Sequence, residues 1–379
     1  MIPGSGQRRS YPGIDLLRGF AALLVVVFHV IEIGKWHAVP NTGFGYLFRH
    51  GWVGVDLFLT ISGFVIALSA LEGLRRDGLA FWKPFAQRRL ARIVPLYLLT
   101  CLLFLLLVQP QLLLHPASLA VHLGSHLLFV HNLHPGTHGS INGPSWSVAL
   151  EMQFYLALLL ATPWLARANA WRVLVLAVLV AAAWRLATVL VLVPGTAAPI
   201  VQFIYATQLP GVIDEFALGI TLAMVVHRGR GRLAQWLATG WLHCAGWALL
   251  ALCLLTVAIR LDQAFAYWNH AGMILGWRLL LSCGFAALLG AAITFPWAGA
   301  RPLAPLRYLG DISYGLYLWH MLVLLALTAA MPALPGHRLL LYVLLSTVAL
   351  ASLSWHLLEK PNLRQPGLPP PVPAVPNPT

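Results

Sequence analysis

The sequence predicts an all-α fold: a polytopic transmembrane helical bundle of about ten spans, with the N-terminus and the C-terminus both cytoplasmic. Three observations predict it. Of 379 residues, 59% are hydrophobic and only 9% charged, too little charge to clothe the surface of a soluble domain. Apolar windows of about 20 residues, the length that crosses hydrocarbon as a helix, recur along the whole chain. Between them, seventeen Lys and Arg residues fall on alternate segments beginning with the N-terminal one, against four (Lys35, Arg49, Arg260 and Arg338) on the others. That bias puts both termini inside. It also accounts for the formal charge of +13 without nucleic acid, because no basic segment carries interleaved aromatics on a soluble module.

The windows lie near residues 14–33, 53–71, 92–110, 145–166, 173–193, 200–226, 237–259, 272–295, 309–330 and 339–358. The first follows Arg8 and Arg9 but is long, carries His29 and lacks a small-residue cleavage motif, so it reads as a retained span and not a leader. The second runs out into Arg75 and Arg76, and the third is entered through Pro84, which suits a first helical turn, and a basic run. Segment 111–144 is rich in His, Asn and Gly, with Leu119 to Val130 as a candidate re-entrant piece. The fifth, sixth and eighth windows carry Arg185, Asp214 with Glu215, and Arg278, whose charges ask for one another inside a bilayer. Cys101, Cys244, Cys253 and Cys283 fall within spans without a CxxC spacing and read as small buried hydrophobes. The expected organisation is a cytoplasmic segment 1–13, a membrane domain 14–361 and a Pro-rich, disordered tail 362–379.

With no soluble domain, chemistry has to sit on polar residues inside the bundle, where a charge costs about 2.5–3.5 kcal/mol. Arg18 and His29 share the first span. Eleven residues turn a helix through about 1100°, which returns to within about 20° of the same face about 16 Å further along. Asp15, three residues before Arg18, is placed to pair with it. In Gln87-Arg88-Arg89-Leu90-Ala91-Arg92, Arg89 and Arg92 lie on one side of a helix start. Guanidinium groups beside unpaired backbone amides make a phosphate site; ordinary cytoplasmic anchoring explains the same run equally well. Glu151, in Trp146-Ser147-Val148-Ala149-Leu150-Glu151, and Asp56, in Gly54-Val55-Asp56-Leu57-Phe58, are expected at the depth of His29. Convergence of the three suits general-base work on a hydroxyl, and equally a proton relay.

Other candidates are weaker. Ser145 and Ser147 stand where serine usually caps a helix, and no G-x-S-x-G elbow marks either as a nucleophile. The histidines at 115, 122, 126, 131, 134 and 138 lack an HExxH and read as a solvated loop, so no metal is expected. His320, in Tyr314-Gly315-Leu316-Tyr317-Leu318-Trp319-His320, packs the bundle or lines its interior.

These motifs resemble the integral membrane acyltransferase-3 family, O-acyltransferases that decorate surface polysaccharides, lipopolysaccharide and some antibiotics. The likeness runs from about Ile14 to Pro361. It comprises Ile14-Asp15-Leu16-Leu17-Arg18 through His29, Gly54 to Phe58 with Ser62-Gly63-Phe64, Arg89-Leu90-Ala91-Arg92 before Pro95-Leu96-Tyr97, and Trp146-Ser147 through Glu151 to Tyr155. Leu209-Pro210 through Asp214-Glu215-Phe216 to Gly219, Ile312-Ser313-Tyr314 to His320, and Glu359-Lys360-Pro361 complete it. Each is weak alone, and seven in order are specific. Leu59 stands where a second Phe is usual, and Val94 where an aromatic is common.

The resemblance implies a donor acyl-CoA on the cytoplasmic side, usually acetyl-CoA, held by Arg89 and Arg92, with His29 as the catalytic histidine and with Arg18 and Glu151 at functional positions. The full expectation is transfer of an acetyl group to a hydroxyl of a surface or extracellular polysaccharide, or of its lipid-linked precursor, in a bacterial cytoplasmic membrane. His29, Glu151 and Asp56 form the catalytic set, and Arg18, Arg89, Arg92, Ser147 and His320 bind substrates. Acetyl-CoA serves as co-substrate and no cofactor is permanently held. Some relatives carry an esterase-like domain after the last span, so this chain is expected to work alone or with separate partners. The rival reading is a proton-coupled transporter or flippase of a lipid-linked sugar, although the inverted repeats common in transporters are not visible.

Overall fold

The structure, a computed structural model, describes residues 11–192, 198–229 and 231–363. Among them no strand occurs. Ten long helices organise the chain: α1 Pro12–Ile33, α2 Gly54–Asp77, α3 Trp82–Leu107, α4 Trp146–Leu165, α5 Ala170–Ala187, α6 Ile213–Arg228, α7 Trp241–Ala264, α8 Arg278–Thr294, α9 Ser313–Ala330 and α10 Gly336–Ser354. Among the described residues nine stretches are long and apolar enough to cross a membrane; one of them, Gly51–Leu107, holds α2 and α3 end to end. In lipid a helix meets its backbone hydrogen bonds internally, which is why so apolar a chain folds this way. Outward-facing Leu102, Leu106, Leu160, Leu249 and Leu252 are exposed, as a hydrocarbon-facing surface requires. The tail from residue 364 and the first ten residues lie outside the described residues.

Three elements depart from expectation. Helix α3 begins at Trp82, ten residues before the predicted window, so Arg88, Arg89 and Arg92 stand about two to three turns inside the helix. The hydropathy window marks where hydrocarbon begins, and the helix continues past it with its backbone bonded internally. The predicted span 200–226 is broken: a short helix Pro199–Ala206 gives way to a 3-10 turn Leu209–Val212 before α6. Pro210 lacks an N–H for a continuing helix. The third departure concerns cysteine, for only Cys101 is buried while Cys253 is exposed; a thiol is apolar enough to face lipid.

Helices α2 and α6 meet backbone to backbone. A side chain at Gly63 would collide with the carbonyl of Phe216, and one at Gly219 with that of Thr60, the close approach that small residues permit in membranes. Beside this crossing lies a buried ionic cluster that joins four helices. Arg278 of α8 bonds Asp56 of α2 and lies 3.5 Å from Glu215 of α6; Arg185 of α5 pairs with Asp214 at 2.8 Å and lies 3.8 Å from Glu215. The charges that the windows left without partners thus meet one another, which is how intramembrane charges are tolerated.

Candidate active site

Two chambers open within the bundle. The first, about 110 Å³, lies toward the end where α1 begins and is lined by Arg18, Arg89, Arg92, Ser62, Ser147, Glu151, Tyr155 and Tyr314 among others. The second, about 630 Å³, is lined by His29, Asp56, Arg278, Trp52, Trp146, Phe203, His138 and Met321 among others. Val55, Leu59 and Tyr317 line both, so a wall of three side chains divides them.

In the arginine chamber three guanidinium groups face one carboxylate. Glu151 accepts hydrogen bonds from Ser62 Oγ at 2.8 Å and from the Tyr155 hydroxyl. Arg89 lies over the rings of Phe85 and Tyr155, 5.6 and 5.8 Å from their centroids, and Arg92 lies 5.9 Å over Trp355. Stacking of this kind orients a guanidinium while leaving its edge for an anion. Asp15 and Arg18 influence each other's charge, but among the described residues they form no direct ion pair, so Arg18 keeps its donors for the chamber. The excess of positive charge suits a phosphate or thioester-bearing anion.

In the histidine chamber the ring of His29 is held by its Nδ1 edge. Nδ1 lies 2.8 Å from the Val25 carbonyl and 3.3 Å from Nε2 of His320, whose own Nδ1 lies 2.6 Å from the Tyr317 carbonyl. A carbonyl only accepts, so both Nδ1 atoms donate; His29 shares its proton between Val25 and His320. In the neutral ring that leaves Nε2 of His29 with its lone pair and no protein partner among the described residues, the tautomer a general base needs.

The predicted convergence of His29 with two carboxylates does not form. Asp56 lines the same chamber but is committed to Arg278, and Glu151 belongs to the arginine chamber. Helix α4 begins level with the wall: Trp146 lines the histidine chamber, whereas Ser147 and Glu151 line the other. Glu151, five residues along, is therefore about 7.5 Å past the helix start, on the arginine side. His320 is fully buried behind His29 and contacts it without facing the chamber, so it positions the ring. Ser147 does line the arginine chamber, with its hydroxyl 2.7 Å from that of Tyr317.

The loop histidines are not a solvated set. His126 and His131 are buried and stack 3.9 Å apart, and Nε2 of His131 lies 3.2 Å from Ser145 Oγ. Ser145 thus turns away from the helix end it precedes and makes no capping bond. Burial, with the neighbouring His126 second, pushes His131 down to about 3, and burial alone pushes His138 down to about 4.

Tyr317 is the residue that the motifs contained and the sequence reading passed over. Tyr314, Tyr317 and His320 recur every three residues and therefore share a stripe of α9. One faces the arginines, one the wall, one His29. Arg278 was noted only as a partner for acidic residues, and nothing in its own window marks it as chamber lining.

An apolar bundle with an arginine-lined chamber backing onto a histidine-lined one is an arrangement that suits a membrane-embedded group-transfer protein. The acyltransferase-3 family model, described as an acyltransferase domain, matches residues 11–357, and the chain belongs to this family. It is 25% identical, over 94% of its length, to the peptidoglycan O-acetyltransferase OatA of Listeria monocytogenes, covering 56% of that protein. It is 28% identical over 83% of its length to the acyltransferase MdmB of Streptomyces mycarofaciens, covering 79% of it. To nodulation protein 10 of Rhizobium leguminosarum it is 28% identical over 95% of its length, covering 94%. The chain spans a little over half the length of the peptidoglycan-acetylating relatives it matches. No solved structure matches it.

Proposed function

We propose that the chain is a membrane O-acyltransferase that moves an acetyl group from acetyl-CoA to a hydroxyl of a cell-surface glycan or its lipid-linked precursor, in the cytoplasmic membrane of a bacterium. The observation that carries this reading is the arrangement of His29: a held imidazole with Nε2 unpartnered, one side-chain wall away from three guanidinium groups. The names of the relatives that are called peptidoglycan O-acetyltransferases support a glycan acceptor.

Arg89, Arg92 and Arg18 hold the anionic end of the donor, which enters from the cytoplasm as the excess of Lys and Arg on that side implies. The pantetheine arm is thin and unbranched, so only a narrow chamber is needed to carry the thioester to the wall. In the second chamber the acceptor hydroxyl gives its proton to Nε2 of His29 as its oxygen attacks the thioester carbonyl carbon. The C–S bond then breaks, and the departing thiolate takes the proton from His29. His320 keeps the ring in the competent tautomer throughout. Trp52, Trp146 and Phe203 offer apolar faces for a sugar ring, and Asp56 with Arg278 offers polar groups for its hydroxyls.

The test is mass spectrometry of surface glycans from cells lacking the gene, complemented with wild type or His29→Ala. A positioned base contributes roughly 10²–10⁴-fold, so His29→Ala protein that still accumulates in the membrane is expected to leave the glycan without acetyl. Full acetylation by that variant overturns the mechanism.

A further inference from the structure

We infer that Val55, Leu59 and Tyr317 set the length of the acyl group the protein transfers; this rests on the acyl-transfer reading above. They are the three side chains that line both chambers, so an acyl group carried on a thioester from the arginines to His29 has to be accommodated against them. Val55 and Leu59 are wholly apolar and the Tyr317 hydroxyl is taken up by the Pro144 carbonyl and Ser147, so selection at such a point is by shape. The space on the arginine side, about 110 Å³, is small beside the 630 Å³ beyond. Each added methylene must therefore be housed at the wall before the acceptor is reached.

Discrimination by shape needs a wall that does not yield, and both of its sides are fixed. The Tyr317 hydroxyl donates to the Pro144 carbonyl at 2.7 Å and meets Ser147 Oγ at 2.7 Å. Its ring is bracketed by Phe58 and His320, with centroids 6.3 and 5.8 Å away. Val55 and Leu59 lie one turn apart on α2, and Gly63, a turn further, is locked against α6. Withdrawing the tyrosine costs two hydrogen bonds, and shifting α2 requires parting two backbones.

The experiment uses inverted membrane vesicles from cells that express the full chain and make its acceptor, supplied with ¹⁴C-labelled acetyl-, propionyl- or butyryl-CoA, with label counted in the glycan. A methylene too many in a close pocket is worth 10-fold or more. Wild type is expected to favour acetyl over butyryl by at least about 10-fold, Leu59→Ala and Val55→Ala to erode that preference by roughly 10-fold, and Leu59→Phe to sharpen it. Tyr317→Phe, which keeps the ring and loses the two hydrogen bonds, is expected to erode it less. Because the preference is a ratio within one preparation, it is independent of how much of a variant folds. Label incorporated with the same ratio in wild type and all variants overturns the inference and leaves the acyl-transfer reading intact. Wild-type vesicles that incorporate no label from any of the three donors overturn that reading itself.

Discussion

The arginine chamber and the histidine chamber share four helices, α1, α2, α4 and α9, with α3 adding Arg89 and Arg92 to the first and α8 adding Arg278 to the second, yet they treat charge in opposite ways. Around His29 the protein cancels its own charges: Asp56 is met by Arg278, which is held in turn by Glu215. What remains facing the space is an imidazole with one lone pair to offer. Around the other space Arg18, Arg89 and Arg92 line the wall with Glu151 as the single lining carboxylate, so the lining itself is rich in positive charge. The contrast teaches where each kind of work is done. On the proposed reading, binding falls where the lining charge is unbalanced and reactivity where it has been balanced.

This comparison can be broken most severely at Arg278. Removing one partner of a buried ion pair typically costs 3–5 kcal/mol because the other is stranded. Arg278→Ala is therefore expected to lower the thermal unfolding midpoint in nanodiscs sharply, with Asp56→Ala/Arg278→Ala recovering part of the loss. A midpoint unchanged by Arg278→Ala would show that the histidine chamber is not balanced in this way. On the other side of the wall, Arg89→Ala is expected to raise KM for acetyl-CoA by about 10–100-fold, the worth of a charge-assisted hydrogen bond. The change in kcat should be only a few-fold. A fall in kcat at constant KM would assign Arg89 to the chemistry instead.

The smallest effect sharpens the edge of the histidine chamber, through the loop that contributes His138. His131 is held down to about 3, against an ordinary value near 6.5. Folded and unfolded forms are both neutral above about pH 6.5, so stability there is level. As pH falls below that, the unfolded chain takes up a proton that the folded one refuses, and stability declines by up to about 1.4 kcal/mol per pH unit. Thermal unfolding at pH 7.5 and pH 5 should show the loss, and His131→Asn should flatten its slope.

Much of this architecture was legible in the sequence, and the failures share a cause. Hydropathy windows found every long helix, because a bilayer imposes a length and a composition that single residues cannot hide. Arg18, Arg89 and Arg92 came together as expected, since the excess of basic residues at one end of the bundle fixes depth at that end. Depth in the middle is another matter. Glu151 was placed beside His29 because both lie inside spans, but five residues of helix were enough to carry it past a wall that no periodicity announces. Partner choice was likewise invisible where candidates were plentiful: His29 found His320, 291 residues away, in preference to either acid. The stripe of Tyr314, Tyr317 and His320 was readable from spacing alone, and its meaning depended on what α1 and α2 set opposite it.

The ionic cluster has a consequence for how the chain is made. Asp56 and Arg278 are separated by 222 residues, and at about 5–20 residues per second the ribosome takes roughly ten to forty seconds to supply the second after the first. For that interval α2 sits at the membrane with an acidic group whose mate does not yet exist. The intermediate has to be sheltered by the insertion machinery, or by water drawn in beside α2, until α8 arrives. A chain that stops short of α8 keeps that acid without the guanidinium that meets it in the finished fold.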